Sequence, residues 1–284
     1  VTITSINDAP VLSAIEDQSI DEDGFLSLSL SASDVDGDGL TYFASVDGNG
    51  DVSVVDNILT ITPDENYNGS IVVDVIVDDG EYTDSDSFTL TVNAINDAPV
   101  LSAIEDQSID EDSILSLILL GSDIDGDALT YSASIDGNGD VSVVDNQLTI
   151  TPDENYNGSI AVSITVSDGQ YLNTQTFVLI VNPVNDSPIV EDVSIETDED
   201  VSVDITLIGS DIDGDDLVYS IDQSSLDGNA ILDGNIVTFT PDLNYNGSTS
   251  FTYTITDGLL TSETSVVSII VNPVNDAPVS ESVS

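Results

Sequence analysis

One pattern constrains this chain more than any other: it repeats itself. Ile6–Pro10 reads I-N-D-A-P, returns at Ile95–Pro99, and returns with Ser for Ala at Val184–Pro188. The step from residue 6 to 95, and again from 95 to 184, is 89 residues. Each interval carries, in the same order, a D-x-D-G-D cluster, a P-D-x-N-Y-N-G stretch, a D-G pair and an apolar run. A period of this size is one small domain, stacked. The expected units are 6–94, 95–183 and 184–273, with 1–5 as the end of a preceding repeat and 274–284 as the start of a following one, since Val274–Pro278 opens another I/V-N-D-A-P copy. Tandem copies of one domain point to a spacer or a fibre rather than to a single catalytic centre.

Composition narrows the chemistry by what it lacks. There is no Lys, Arg, His, Cys, Met or Trp, against 55 Asp plus Glu, for a formal charge of −55. Such a charge normally accompanies disorder, but the apolar fraction is an ordinary 40% and falls in β-branched runs that need burying. The chain is therefore expected to fold and to need counter-ions. Without His, Cys or Lys there is no imidazole, thiol or Schiff-base catalyst. Without cationic side chains, nucleic acid and anionic membrane surfaces are repelled, so neither is an expected partner. No run of about 20 apolar residues marks a membrane span; secretion signals and anchors are expected outside this segment.

The second repeat shows the expected fold. Val100–Ile104 and Ser108–Ile109 read as a broken first strand. Leu115–Leu120, Leu129–Ser134, Val141–Val144, Gln147–Thr151, Ser159–Ser167 and Gln175–Val181 follow as strands two to seven, divided by Gly, Asn, Asp and Pro turns. Seven short strands at this spacing predict an all-β tandem array of Greek-key, immunoglobulin-like sandwiches. Tyr67, Tyr156 and Tyr245 stand where a tyrosine corner tends to occur, and read chiefly as caps on the core. The N-G-S sequons at Asn68, Asn157 and Asn246 read as turns and not as glycan sites.

An odd number of strands brings the chain in at one end of a domain and out at the other. In the second repeat, the loop after strand two (Asp123, Asp125, Asp127) and the loop after strand six (Asp168) lie at the entry end, beside the linker Asn96–Asp97. In the first repeat, the loop after strand one (Asp21, Glu22, Asp23) and the loop after strand five (Asp64, Glu65, Asn66) lie at the exit end. Two acidic ends thus meet across each linker. Two carboxylates about 5 Å apart at an effective dielectric near 20 repel by about 3 kcal/mol, so the groups at one joint call for a cation. Oxygen ligands without His or Cys favour Ca²⁺ over transition metals, and over Mg²⁺, which keeps most of its waters. The D-x-D-G-D cluster is no EF-hand, since its Gly is at the fourth position and no helices flank it. The D-G-N-G-D loop Asp136–Asp140 reads as turn chemistry alone.

Together, N-D-A-P at the linker, E-D after strand one, D-x-D after strand two, P-D-x-N after strand five and D-G after strand six resemble the cadherin-like tandem repeats of large bacterial surface adhesins and extracellular matrix proteins. The resemblance implies an extracellular or cell-surface setting and calcium between successive domains. It carries the ligand role onto Glu22, Asp64, Asn96, Asp97, Asp123, Asp125 and Asp168 at the first joint. At the second joint it carries the role onto Glu111, Asp153, Asn185, Asp186, Asp211, Asp213 and Asp257. Asn7, Asp8, Asp34, Asp36 and Asp79 are its counterparts at the N-terminal side, and Glu199, Asp242, Asn275 and Asp276 at the C-terminal side. One departure stands out: animal cadherins place Glu two positions after the strand-five Asp, where this chain has Asn66, Asn155 and Asn244.

The function expected from these features is a calcium-stiffened stalk or fibre segment. Its partners are neighbouring repeats and, in a filament, identical chains. A carbohydrate-binding module is the alternative from another class, disfavoured by only 5% aromatics. An enzyme is disfavoured because close acid pairs follow from composition alone.

Overall fold

The computed structural model describes residues 6–276; the expected fragment at 1–5 and most of that at 274–284 lie outside the described residues. In the first repeat the strands are β1 (Val11–Leu12), β2 (Gln18–Asp21), β3 (Leu26–Ser29), β4 (Ala32–Ser33), β5 (Thr41–Val46), β6 (Gly50–Val55), β7 (Ile58–Pro63), β8 (Gly69–Asp78) and β9 (Thr83–Asn93). One sheet has the order β2-β9-β8-β5, the facing sheet has the order β3-β7-β6, and β1 pairs with β4. These segments are the seven expected strands, the first and second each broken in two. The other repeats follow the same order, and no helix occurs among the described residues.

The break in the first strand has a topological cause. β1 runs antiparallel to β4, and the chain then crosses to the other sheet, where β2 runs parallel to β9. With an odd strand count, the first and last strands point the same way, so this ladder cannot be antiparallel. Strand direction alternates along the chain as expected, and the parallel ladder is the consequence. Side chains of the last strand hold the crossing: Asp84 Oδ2 accepts from Leu12 N–H and Asp86 Oδ2 from Ile15 N–H, both at 2.8 Å. The last strand is also longer than its apolar run suggests, spanning Leu172–Asn182 in the second repeat. Its polar half, Leu172–Gln175, pairs with Ile164–Ser167 of the preceding strand.

Alternation builds the core. Along β8, Ile71, Val73, Val75 and Val77 face inward and are fully buried while Val72, Asp74 and Ile76 face out. The inward set meets Leu59, Ile61, Phe88, Leu90 and Val92 from β7 and β9. Each such side chain contributes about 1.5–3 kcal/mol by leaving water. Equivalent clusters fill the second and third repeats, and every one is confined to its own repeat. Apolar packing therefore stabilises each domain, and no core cluster bridges two of them.

The N-Y-N-G turn is a unit. The Tyr67, Tyr156 and Tyr245 rings pack on their cores. Their hydroxyls donate to Ser70 O and Ser159 O at 3.0 Å and to Ser248 O at 2.9 Å. Gly69 has φ +144°, and a Cβ there would stand 2.8 Å from the Tyr67 hydroxyl; at Gly158 the distance is 2.7 Å, and at Gly247 it is 3.4 Å. Gly69→Ala and Gly158→Ala should each destabilise by about 1–3 kcal/mol, and Gly247→Ala, with room to relax, by less. Thermal unfolding of the three variants checks this; equal losses would contradict it.

Candidate functional site at the joints between repeats

The D-x-D-G-D sequence folds on its first residue. Asp34 Oδ1 accepts the N–H groups of Asp36 (2.9 Å), Gly37 (2.8 Å) and Asp38 (3.1 Å), and Gly37 takes φ +82° to complete the turn. One oxygen thus serves three amides, a side-chain-to-backbone turn suited to Asp. The other, Asp34 Oδ2, is buried without a hydrogen-bond partner, as are Asp123 Oδ2 and Asp211 Oδ2 in the equivalent loops. Carboxylate oxygens of Asp34, Asp36 and Asp38 lie within 4.8 Å of one another, and so do those of Asp123, Asp125 and Asp127 and of Asp211, Asp213 and Asp215.

The linker is tied to this loop and to the loop after β8. At the first joint, Asn96 Nδ2 donates to Asp168 Oδ2 at 2.8 Å and Asp97 N–H donates to Asp125 Oδ2 at 2.7 Å. At the second, Asn185 Nδ2 donates to Asp257 Oδ2 at 2.9 Å and Asp186 N–H to Asp213 Oδ2 at 2.8 Å. Asn7 meets Asp79 at 3.0 Å and Asp8 meets Asp36 at 2.8 Å in the same way ahead of the first repeat. The remaining oxygen of Asp168 accepts from the N–H groups of Gln170 and Tyr171, both at 2.6 Å.

The preceding repeat supplies the buried acid. Glu22, Glu111 and Glu199 are only 5–7% exposed. One carboxylate oxygen of each accepts the linker N–H of Ile95, Val184 or Val274. The second accepts from the carboxamide of Asn68 (3.3 Å), Asn157 (3.4 Å) or Asn246 (3.3 Å). Oxygens of Glu22, Asp97 and Asp125 converge within 4.8 Å, as do those of Glu111, Asp186 and Asp213. Each trio combines a domain, a linker and the next domain.

The electrostatics follow from this convergence. Desolvation, then the charges of Asp125, Asp23, Glu22 and Asp123, push the Asp97 carboxyl above its ordinary value; desolvation, then Asp213, Asp112, Glu111 and Asp211, do the same to Asp186. Asp257 is held below the ordinary value, chiefly by the Asn185 hydrogen bond. At Asp168, desolvation pulls upward but is outweighed by donation from Asn96 and from the Tyr171 and Gln170 amides. Asp79 is lowered by the amides of Tyr82 and Glu81.

Most of the expected ligand set is brought together at the joints: Asn96, Asp97, Asp123, Asp125, Asp168 and Glu22, with Asn185, Asp186, Asp211, Asp213, Asp257 and Glu111. Asp64, Asp153 and Asp242 stand outside the acidic trios and show backbone roles: their carbonyls accept from Tyr67, Tyr156 and Tyr245 N–H. On the C-terminal side, Asn275 donates to Asp276 O at 3.2 Å, matching Asn96 with Asp97.

Three sets take part that lay outside the expected ligand set, although Asp23 and Asp127 were placed at the joint by the strand count. Asp23 and Asp112 act on the linker Asp through their charge. Asp38, Asp127 and Asp215 complete the loop clusters. Asn68, Asn157 and Asn246 orient the buried Glu, so the sequon amide is engaged at the joint, in accord with the turn reading. The E-D dipeptide and the fifth position of D-x-D-G-D were available signals for the first two sets; the third had none. The Asn-for-Glu departure also acquires a local reason. Asn66, Asn155 and Asn244 sit at φ +54° to +55°, and their N–H groups donate to Asp23, Asp112 and Asp200 at 2.9–3.1 Å. Asn tolerates that left-handed conformation better than Glu.

The bacterial Ig domain pattern matches residues 7–93, 96–181 and 185–270. The chain belongs to the bacterial Ig domain family. Among curated proteins, chitinase A of Pseudoalteromonas piscicida is 27% identical over 157 residues, 52% of this chain and 19% of the chitinase, so these bacterial Ig domains match about a fifth of that relative's length. Among solved structures, a protocadherin gammaB7 EC3-6 cis-dimer is similar with a TM-score of 0.53, 17% identity, and coverage of 93% of this chain and 74% of that one. The human desmocollin-1 ectodomain has a TM-score of 0.48 and 14% identity, covering 95% and 62%. The protocadherin likeness establishes a shared fold for these bacterial Ig domains. No helix among the described residues is long and apolar enough to cross a membrane.

Asn157→Ala should leave one oxygen of the buried Glu111 without its donor and destabilise the second repeat by about 1–3 kcal/mol. Calorimetric unfolding of the full chain reads this as a lowered transition; an unchanged profile would remove Asn157 from the joint.

Proposed function

We propose that this chain is a calcium-rigidified segment of an extracellular stalk or fibre, belonging to a large adhesin or matrix protein. The observation that carries the reading is the meeting of Glu22, Asp97 and Asp125, and of Glu111, Asp186 and Asp213, where three parts of the chain contribute one carboxylate each. No cationic side chain exists anywhere in the sequence to neutralise them. The residues fit a hard divalent cation. Asp123 Oδ2, Asp186 Oδ2 and Asp211 Oδ2 are buried without hydrogen-bond partners, and such oxygens are costly unless something coordinates them. The donors are all oxygens, with no soft ligand among them.

Glu22, Asp97, Asp123, Asp125 and Asp168 would hold the ion at the first joint, and Glu111, Asp186, Asp211, Asp213 and Asp257 at the second. Bound calcium supplies the positive charge that the sequence lacks. The chain's own part is to fix the linker: Asn96 and Asn185 latch it to the following domain, while Glu22 and Glu111 latch it to the preceding one. Since no core cluster spans a joint, the angle between domains depends on these polar groups. An ion bound only by the assembled joint also stabilises the folded array by mass action.

A second reading, a spacer within a polysaccharide-degrading enzyme, is favoured only by the partial match to chitinase A. It keeps the same role for these repeats and places any chemistry in another domain.

Small-angle scattering tests the main reading. With calcium, the three repeats should give a rod on the order of 120 Å, from strands of about eight residues at 3.3 Å each plus loops. Chelator should shorten and broaden the distance distribution. An identical maximum dimension in both conditions would contradict calcium stiffening.

A further inference from the structure

Each repeat begins and ends in neighbouring strands. β2 lies beside β9, and the two run parallel. Tension along an array draws the first strand back toward the preceding domain and the last strand on toward the next. Parallel neighbours drawn in opposite directions are loaded in shear. All the rungs of their ladder then bear the force together, whereas a peeled pair gives way one rung at a time. The ladder between first and last strands is therefore where a repeat resists extension, and the number of rungs sets how long it holds.

The three ladders are unequal. Gln18–Asp21 pairs with Leu90–Asn93, and Gln107–Asp110 with Leu179–Asn182, over four rungs each; Val193–Asp198 pairs with Val267–Asn272 over six. The cause is one missing residue. Twelve steps separate Pro10 from Glu22 and Pro99 from Glu111, but eleven separate Pro188 from Glu199. The crossing between sheets shrinks from Ser13–Asp17 to Glu191 and Asp192, and the ladder lengthens in its place. A buried phenol supports the shorter crossing. Tyr253 stands where the first two repeats have Val75 and Ile164, opposite Ile221 as these are opposite Ala44 and Ala133. Its hydroxyl lies within donating reach of Glu191 O and of Ile208 O, the latter at 2.8 Å, and accepts from Ile208 N–H at 3.3 Å. In the other direction, Asn93 Nδ2 donates to Ser19 Oγ and Asp21 Oδ1, and Asn182 Nδ2 to Ser108 Oγ and Asp110 Oδ1, at 3.0–3.2 Å. Those bonds are exposed and exchange readily with water, so they offset less than two backbone rungs.

We propose that the array yields to tension in a fixed order: the first two repeats unfold as extensible elements while the third, held by its longer first-to-last ladder, stays folded. Each unfolding event releases about 260 Å of chain, from an 89-residue period at about 3.4 Å per residue less a folded length of about 40 Å. That release relaxes the tension on the third repeat. The inference takes from the proposed stalk only that load is carried end to end; the ladders themselves do not depend on calcium.

The test is single-molecule extension of the full chain at constant force, held through a Cys added at each end, since the chain has none. Chelator keeps ions out of the joints, so a failed order bears on the ladders and leaves the calcium reading to scattering. A flexible insert at the exposed turn at Gly234 lengthens the third repeat's step and so marks it. The marked step should come last, with a lifetime about tenfold longer than the others, as two further rungs of ordinary strength imply. Replacing Glu191–Ser194 by the first repeat's Ser13–Asp17 restores the twelve-step spacing and should bring the marked step down to the lifetime of the others. Val237→Ala, in the fully buried core of the facing sheet, should lower the thermal transition and keep the marked step last, because that packing is lost only after the ladder has parted. A marked step that comes first, or at random, would overturn the proposal. So would a replaced crossing that leaves the third repeat as long-lived as before, or a Val237→Ala chain whose order reverses.

Discussion

The joints of this molecule are arranged around carboxylates that face each other across a short linker. Glu22, Asp97 and Asp125 come from three different parts of the chain and still place oxygens within 4.8 Å of one another. With 55 acidic side chains and no cationic ones, the chain has no internal means of neutralising that convergence. Hydrogen bonding goes part of the way. Linker amides and the Asn carboxamides satisfy one oxygen after another, until Asp123 Oδ2, Asp186 Oδ2 and Asp211 Oδ2 are left buried and without partners. What is left over is a set of hard oxygens at each joint, and that residue of unmet demand is what supports the calcium reading.

The division of labour explains why such a charge is compatible with folding. Apolar side chains are segregated into three independent clusters, each closed by the inward faces of two small sheets. Acids populate the turns, where Asp and Asn also solve local backbone problems. Asp34, Asp123 and Asp211 each organise a turn with one oxygen and leave the second for the joint. One residue type therefore serves both the fold and the site, and a sequence with no cationic side chain still closes its turns.

Much of this was legible in the sequence because period and alternation are strong signals. The 89-residue step gave the repeat, and Ile160, Val162, Ile164 and Val166 at every second position marked a strand buried on one face. The meeting of linker, D-x-D loop and D-G loop followed from counting strands. The remainder depends on contacts between residues far apart in sequence. Nothing near Asn68 announces that its carboxamide reaches Glu22, 46 residues earlier. Asn66 looked like a missing ligand, but its left-handed backbone and its bond to Asp23 show a conformational reason for Asn. The switch of the first strand between sheets was readable only as a break, because the pairing that causes it lies 72 residues on, between Gln18 and Leu90. Gln223, whose carboxamide donates to Ala230 O and accepts from Ala230 N–H, was invisible for the same reason: a Gln in a loop says nothing about which strand its amide will meet.

Calorimetric titration of Ca²⁺ into the full chain, compared with its Glu111→Gln variant, tests the central claim most directly. Glu111 belongs to the second repeat, while its companions Asp186 and Asp213 belong to the linker and the third repeat. The account predicts that this single change weakens binding at the second joint and leaves the first joint as it was. A binding curve unchanged by Glu111→Gln, or a wild-type chain that takes up no calcium, would contradict it.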